Sequence, residues 1–301
     1  MRTFLAIVMI LTAAMVAPAQ ARVHRHGHVQ ARIAIVLAFD PEWQALIGQV
    51  KHAKTLSVHG TVFVTGDLAG KRVVLMKSGV SMVNAAMNTQ LLLDRYRVSR
   101  IVFSGIAGGV DPSLHIGDVL VAEHWSQSME SVAARQTSQG YAPPGWLGGL
   151  SDKTPYGMYY PRRINVAGAY YDSFPADPAL LDVARRVAGT TTLKACVATA
   201  QCLDHAPQVV VGGEGVSAAS FIDNADYRQY LFTTFHARVT DMETAATAQV
   251  AFANHVPFIA FRSLSDLAGG DADSNQMTTF MNLASENSAA VVVAFVKALG
   301  D

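Results

Sequence analysis

Aliphatic runs alternate with amphipathic stretches from residue 32 to the end of the chain. The segment from Arg32 to Phe39, RIAIVLAF, is a near-continuous apolar run, which is typical of a strand buried on both faces of a parallel sheet. Residues 82–96 instead place apolar side chains such as Ala85 and Leu92 on one face of a helix. The pattern predicts strands near residues 62–65, 72–76, 100–104, 119–123, 193–199, 209–211, 237–240 and 257–264, and helices near residues 41–50, 82–96, 178–187, 244–254 and 276–299.

Strands that alternate with helices predict an α/β protein whose mainly parallel sheet is covered on both faces. Ligands of such sheets bind at the carboxyl ends of the strands. Two segments depart from the alternation. Residues 105–109, GIAGG, are predicted as a small-residue turn, and residues 125–172, rich in Gly, Pro, Ser, Tyr and Trp, are interpreted as a long, partly ordered insertion.

The first residues have the features of an export signal. Arg2 precedes an apolar run from Phe4 to Val16, which is too short to span a bilayer and leads to Ala19-Gln20-Ala21. We therefore expect a signal peptide over residues 1–21, a secreted or periplasmic protein, and no stable membrane association after cleavage. An uncleaved anchor is the alternative. Residues 22–31 are expected to form a polar His-rich tail, and metal binding by this tail is an open alternative.

The chain contains two cysteines, Cys196 and Cys202. In an oxidising compartment, a pair six residues apart predicts a disulfide that closes a small loop, with two free buried thiols as the alternative. The ten His residues show neither HExxH spacing nor a Cys/His cluster, so we expect no metal site and no cofactor.

Composition narrows the functional classes further. Lys and Arg together number 23, and so do Asp and Glu, so net charge offers no attraction to nucleic acid. Half of the residues are apolar, 15% are charged, and the mean hydropathy is +0.23, which excludes a disordered chain. Gly213-Glu214-Gly215 resembles part of a dinucleotide-binding motif, but Ala218 stands where its third glycine is needed, so we interpret it as a turn.

Three predicted strands end in carboxylates. Asp40 and Glu42 follow the first strand, Glu243 follows the strand near residue 240, and Asp266 follows the strand near residue 260. Each also has a purely structural interpretation, since Asp40 before Pro41 suits a helix cap and acidic residues in a first turn complement the helix dipole. Three strands that deliver carboxylates to one sheet edge nevertheless indicate a site.

Six segments occur in an order shared with a known family: 33–42 (IAIVLAFDPE), 77–80 (KSGV), 104–109 (SGIAGG), 117–119 (GDV), 241–246 (DMETAA) and 262–266 (RSLSD). The chain resembles the nucleoside phosphorylase superfamily, and within it the methylthioadenosine/S-adenosylhomocysteine nucleosidases. The resemblance implies a single domain over residues 32–301, with three α/β/α layers and a central mixed, partly barrel-like sheet. It also implies a homodimer or a larger homo-oligomer.

The resemblance further implies roles for individual residues. Glu42 is similar to the carboxylate that orients and deprotonates the attacking water, and Asp266 to the acid that protonates the purine. Glu243 is expected to accept hydrogen bonds from the ribose hydroxyls. The full set of expected substrate-binding residues is Val80, Ile106, Phe221, Ile222, Met242, Glu243 and Ser265. Arg262 is interpreted as an internal ion-pair partner rather than a substrate clamp.

The chemistry of N-ribosidic cleavage needs these groups. Breaking the bond builds oxocarbenium character on the sugar and negative charge on the purine, so an acid is required at the base and an activated water at the sugar. A neutral Asp266 can donate to purine N7 while accepting from a 6-amino group, which favours adenosine-type substrates over guanine or hypoxanthine nucleosides. This role requires an Asp266 pKa raised by burial.

The attacking nucleophile is expected to be water. A phosphorylase must hold a phosphate dianion, which needs Arg side chains or a Gly-rich nest. Here Asp40 and Glu42 would repel an anion, and Ile106 stands where phosphorylase relatives present Arg. We therefore predict a purine nucleosidase acting on methylthioadenosine, S-adenosylhomocysteine or adenosine. The alternatives are a phosphate-dependent phosphorylase and a non-catalytic nucleoside-binding or storage protein of the same fold.

Overall fold

A twelve-stranded mixed sheet forms the centre of the molecule. The computed structural model describes residues 30–198 and 201–300, and the described residues from Ala31 onward form one compact unit. The predicted signal peptide, residues 1–21, and residues 22–29 of the predicted tail lie outside the described residues.

The strands and helices are numbered in chain order. The strands are β1 Arg32–Leu37, β2 Lys51–Val58, β3 Thr61–Leu68, β4 Lys71–Lys77, β5 Val98–Gly109, β6 Val119–Val121, β7 His124–Gln127, β8 Ser131–Ala133, β9 Arg135–Thr137, β10 Gly140–Ala142, β11 Tyr159–Pro161, β12 Ile164–Val166, β13 Ala169–Tyr171, β14 Phe174–Pro175, β15 Cys196–Ala198, β16 Gln201–Cys202, β17 Val209–Val211, β18 Glu214–Ser217, β19 Ala237–Asp241 and β20 Phe258–Asp266. The helices are α1 Asp40–Ile47, α2 Met82–Arg95, α3 Pro178–Ala188, α4 Ala225–Phe235, α5 Thr244–Ala253 and α6 Met277–Ala298.

The sheet runs in the order β14-β7-β18-β19-β5-β1-β4-β3-β2 and branches at β5, which also pairs with β20. Strand β1 is parallel to β4 and β5, and β20 is parallel to β5. Strand β19 is antiparallel to β5, and β6 is antiparallel to β20. The predicted α/β class with a mixed central sheet is therefore confirmed.

Helices cover both faces of the sheet. On one face, α1, α3 and α6 pack against the aliphatic side chains of the strands in one cluster that includes Leu46, Leu181 and Phe295. On the other face, α2 and α5 contribute Leu92 and Ala248 to a second cluster. Helix α6 is long and apolar enough to cross a membrane by length and composition alone, but ten of its residues are buried in the protein.

The predicted turn at residues 105–109 is wrong, because β5 continues through it to Gly109. The small residues instead leave room for side chains of a neighbouring strand and helix. A Cβ at Gly105 would lie 2.1 Å from Arg262 Nη1 and 2.3 Å from Glu42 Oε1. This glycine is required by what packs over the strand rather than by a change of chain direction.

The predicted insertion begins inside the sheet rather than after it. Strand β7 lies between β14 and β18, and its Trp125 is fully buried. The following residues form short antiparallel pairs, β9 with β10, β8 with β11 and β12 with β13, outside the central sheet. Gly213 turns the chain with a φ of 83°, but Glu214 and Gly215, predicted in the same turn, already belong to β18.

Cys196 and Cys202 face each other as partners across the β15–β16 pair. This is the arrangement that the predicted disulfide requires, and its formation in the exported protein stays a prediction.

Metal ligands are a separate question. Among the described residues, no group of three or more His, Cys, Asp and Glu side chains is placed to hold a metal ion.

Candidate active site

A cavity of about 290 Å³ opens at the sheet edge where β1, β19 and β20 end. It is also lined by part of β5 and by the segment that follows β18. All nine substrate-binding and catalytic residues predicted from the sequence line this one cavity. They are Glu42, Val80, Ile106, Phe221, Ile222, Met242, Glu243, Ser265 and Asp266. The structure thus brings the predicted set together, while the role of each residue stays a prediction.

Glu42 lies in the first turn of α1, directly after β1. The helix begins at Asp40 with Pro41 in its first turn, and Phe39 is the N-cap residue. The alternative interpretation of Asp40 as the cap of this helix is wrong. Its side chain makes no cap hydrogen bond and instead pairs with Lys77 on β4.

Backbone groups fix the carboxylate of Glu42 in the cavity wall. Its Oε2 accepts a hydrogen bond from the Ala38 N–H at 2.6 Å, and its Oε1 accepts one from the Ile106 N–H at 2.9 Å. The side chain is buried, and burial raises the pKa of Glu42, while Arg262 and the backbone donors act in the opposite direction. This shift brings the pKa of Glu42 closer to the pKa of an effective general base at neutral pH.

Arg262 lies at the centre of the charged groups and is fully buried. Its Nε is 2.7 Å from Asp241 Oδ2, its Nη2 is 3.2 Å from Glu243 Oε2, and its Nη1 is 3.5 Å from Glu42 Oε1. Burial alone would lower the pKa of Arg262, but the three carboxylates raise it, so the guanidinium keeps its charge. The predicted role of internal ion-pair partner is confirmed.

Asp241 holds this guanidinium in place, a role that its sequence pattern does not predict. It accepts hydrogen bonds from the hydroxyls of Ser217 and Thr244 and from the Thr244 N–H at 3.1 Å. With Arg262 on its Oδ2, this carboxylate is engaged on both oxygens. Ser217 is 24 residues away in the chain, so no local pattern reveals the network.

Glu243 precedes α5 and reaches across to the start of α2. Its Oε1 accepts a hydrogen bond from the Ser81 N–H at 2.8 Å. Ser81 has a φ of 85°, a conformation that costs energy for a residue with a Cβ and that aims this N–H at the carboxylate. Burial raises the pKa of Glu243 to about 7, against the influence of Arg262.

Asp266 ends β20, and its hydrogen-bond partners in the described part of the chain are all neutral. Its Oδ2 accepts from the Ser265 hydroxyl at 2.8 Å, and its Oδ1 accepts from the Ala268 N–H at 2.9 Å and from Asn275 Nδ2 at 3.3 Å. Burial raises the pKa of Asp266. Asn275 lies in a polar loop with no helical or strand pattern, so nothing in the sequence marks it as a partner of Asp266.

Phe221 and Ile222 lie on the loop after β18. Phe221 is half exposed at the cavity mouth, whereas Ile222 is buried against Ala218 and Ala268. The loop is tied to the segment after β20 by a hydrogen bond from Asn224 N–H to the Ala268 carbonyl at 3.3 Å. A flat ring that enters the cavity would therefore lie between this loop and the end of β20.

The cavity wall, as far as the structure describes it, is built from neutral and acidic side chains. Within the described ranges, the lining residues include no Lys, Arg or His. Arg262 stands behind the wall and is already shared among three carboxylates. Ile106, which is partly exposed, occupies the position where an Arg would be expected in a phosphorylase.

A family model described as Phosphorylase superfamily matches residues 32–297. The chain belongs to this superfamily. A 5′-methylthioadenosine/S-adenosylhomocysteine nucleosidase from Tolumonas auensis is 31% identical over 270 residues, which is 89% of this chain and 100% of that protein. Because its curated relatives are named nucleosidases, which are N-glycosidic hydrolases, the prediction of an enzyme of this superfamily is confirmed.

Solved structures of the superfamily agree with this assignment. The nucleosidase from Neisseria meningitidis, in complex with methylthio-immucillin-A, is 26% identical and has a TM-score of 0.68, with 90% of this chain and 100% of that chain covered. The Colwellia psychrerythraea nucleosidase, in complex with adenine, is also 26% identical with a TM-score of 0.68, and covers 89% of this chain and 96% of its own.

Proposed function

We propose that this phosphorylase-superfamily protein hydrolyses the N-ribosidic bond of adenosine-type nucleosides and releases a free purine and a free sugar. One observation carries the proposal. The cavity holds a carboxyl with neutral partners, Asp266, and a second carboxylate, Glu42, which is fixed beside a guanidinium. The names of the Tolumonas and Neisseria relatives support a substrate of the methylthioadenosine or S-adenosylhomocysteine type.

Asp266 acts on the leaving group. In its neutral form it donates its proton to purine N7, and its carbonyl oxygen accepts from the 6-amino group. The raised pKa that burial gives Asp266 supports the neutral form in the resting site. As the C1′–N9 bond breaks, its electron pair moves into the purine, and the proton from Asp266 neutralises that charge.

Glu42 acts on the nucleophile. The carboxylate takes one proton from a water molecule while the water oxygen forms its bond to C1′, so the sugar leaves with a hydroxyl at that carbon. Hydrogen bonds from Ala38 and Ile106 hold the carboxylate still and avoid a cost of reorientation. Glu243 accepts from the ribose hydroxyls, and the negative charge around Arg262 favours the cationic sugar in the transition state.

The electrostatics of the cavity support water over phosphate as the nucleophile. A phosphate dianion would enter a cavity whose described wall carries the carboxylates Glu42, Asp241 and Glu243, and the one nearby guanidinium is already paired with all three. Such a site repels an anion rather than binding it.

The leader predicted at residues 1–21 supports a secreted or periplasmic location, and the family resemblance supports a homo-oligomer.

The experiment is product analysis of the purified mature protein. Adenosine, methylthioadenosine and S-adenosylhomocysteine are incubated with and without inorganic phosphate, and the sugar products are separated by chromatography and mass spectrometry. We expect free adenine and unphosphorylated sugar at the same rate in both conditions. Glu42→Gln should release little product in either condition, and Asp40→Asn is its matched control, because Asp40 shares α1 with Glu42 but is exposed. Sugar 1-phosphate formed only with phosphate would indicate a phosphorylase, and tight binding without turnover would indicate a binding protein.

A further inference from the structure

Thr240 is a polar residue in the cavity wall that the mechanism above does not use. It lies on β19 two residues before Met242, lines the cavity, and is 5% exposed. Its Oγ1 is buried and has no hydrogen-bond partner among the described residues. Buried hydroxyls in proteins nearly always have a partner, so a bound ligand is the natural source of the missing one.

The sheet places Thr240 and Asp266 on either side of a gap. Gly108 on β5 pairs with Thr240 on one side and with Asp266 on the other. Residues paired across neighbouring strands direct their side chains to the same face of the sheet. A Cβ at Gly108 would lie 3.0 Å from Asp266 Oδ1, so this glycine leaves the space between the two side chains open.

The width of this gap matches a purine ring. Neighbouring strands lie about 4.8 Å apart, so the backbones of Thr240 and Asp266 are separated by about 10 Å. A purine that presents N7 and its 6-amino group to Asp266 turns its opposite edge toward β19. That edge carries N3, a ring nitrogen that accepts a hydrogen bond and has no proton of its own.

We propose that the Thr240 hydroxyl donates a hydrogen bond to purine N3 and is a specificity-determining residue for the base. This inference rests on the proposed function, since it assumes that Asp266 holds the N7 edge. The base is then held at both edges, by a carboxyl on one side and a hydroxyl on the other. A ligand with carbon in place of N3 fills the same space but leaves the hydroxyl unpartnered.

Binding of free bases separates this role from catalysis. Adenine and 3-deazaadenine are titrated by calorimetry into the wild-type protein, Thr240→Val and Thr240→Ser. We expect Thr240→Val to weaken adenine binding about tenfold, the size of one neutral hydrogen bond, and to leave 3-deazaadenine binding unchanged. Thr240→Ser keeps the hydroxyl and should bind adenine within about threefold of the wild-type protein.

Thr61→Val is the matched control. Thr61 is similarly buried, but its hydroxyl bonds Asn88 Oδ1 at 2.7 Å and it does not line the cavity. We expect Thr61→Val to lower the melting temperature without changing either affinity, and Thr240→Val to leave the melting temperature of the ligand-free protein at or above the wild-type value. If Thr240→Val lost the same affinity for both bases, or lost none for adenine, this inference would be overturned and the proposed function would still stand. A wild-type protein that neither binds adenine nor hydrolyses the nucleosides would overturn the proposed function together with it.

Discussion

Buried carboxyl groups have different surroundings at the two ends of the cavity. At one end, Glu42 and Glu243 share the guanidinium of Arg262. At the other end, Asp266 is bonded by a hydroxyl, a backbone N–H and a side-chain amide, none of which carries a charge. Burial raises the pKa of all three groups, but Arg262 opposes this only at the first end.

The contrast assigns the acid and the base by environment rather than by residue type. Arg262 favours the ionised form of Glu42, which can accept a proton, whereas the hydrogen-bond partners of Asp266 include no cation that favours its ionised form, so this carboxyl is suited to donate one. One sheet edge thereby supplies both functions for the same bond.

The largest expected effects come from removing either carboxyl. Asp266→Asn and Glu42→Gln should each lower turnover of adenosine-type nucleosides by about 10² to 10⁴, the usual range for general acid–base groups. Adenine affinity should be nearly unchanged, because Asn at position 266 still offers the purine a donor and an acceptor, and the proposed role of Glu42 is toward the water rather than the base. Steady-state kinetics with equilibrium binding of adenine checks both parts. Near-normal turnover in either variant would remove that residue from the mechanism.

The next largest effect concerns the cation that distinguishes the two ends. Arg262→Met leaves Asp241, Glu42 and Glu243 buried without their partner, and we expect a loss of about 3 to 5 kcal/mol in the free energy of unfolding. Urea denaturation measures it. Arg238→Met is the control, because Arg238 pairs with Asp111 at 2.8 Å in a partly exposed position and should cost about 1 kcal/mol or less. Equal losses of unfolding free energy in Arg262→Met and Arg238→Met would contradict the claim that the buried carboxylates depend on Arg262.

A smaller effect follows from the pKa of Glu243. Burial raises it from 4.5 to about 7, so the unfolded chain loses this proton at a lower pH than the folded protein. The free energy of unfolding should therefore fall as the pH rises from about 4.5 to 7, by about 3 kcal/mol at most for this group, and level off above that range. Glu243→Gln removes this titrating carboxyl. The free energy of unfolding of the variant should therefore fall less between pH 4.5 and 7 than that of the wild-type protein. Parallel curves for both proteins would contradict the raised pKa.

The smallest effect lies outside the cavity. A Cys196–Cys202 disulfide in the exported protein should add about 2 to 3 kcal/mol by closing a short loop. Intact-mass analysis after alkylation of the unfolded protein, with and without prior reduction, counts the free thiols. Two alkylated thiols without reduction would exclude the bond. The double variant Cys196→Ala, Cys202→Ala then gives the stability difference.

Sequence patterns located the cavity residues because the functional groups follow strands whose apolar runs are easy to find. The run from Arg32 to Phe39 and the late strand ending at Asp266 are buried on both faces, so their ends were placed to within three residues. The segment Lys51–Val58 was missed because it is an exposed edge strand with no buried face to mark it. Helix Ala225–Phe235 was also missed, since its aromatic and Thr residues favour strands and only two of its residues are buried.

The contacts that tune the cavity were less accessible to sequence patterns. Ser81 and Asp241 act through partners that are distant in the chain or through an unusual backbone angle, and Asn275 bonds Asp266 from an irregular loop. In the sequence, Thr240 is an ordinary β-branched residue of a strand. The fold shows that its hydroxyl has no partner in the described part of the chain. Periodicity reports which face of an element is buried, and it carries no information about which side chains meet.

The division between acid and base is tested most directly by a substrate whose leaving group needs no proton. Turnover of 4-nitrophenyl β-D-riboside and of methylthioadenosine is measured for the wild-type protein, Asp266→Asn and Glu42→Gln. We predict that Asp266→Asn loses at least about 10² in turnover of methylthioadenosine but hydrolyses the aryl riboside within about tenfold of the wild-type rate, whereas Glu42→Gln is impaired on both. Equal losses of Asp266→Asn on the two substrates would contradict its role as the acid for the leaving purine.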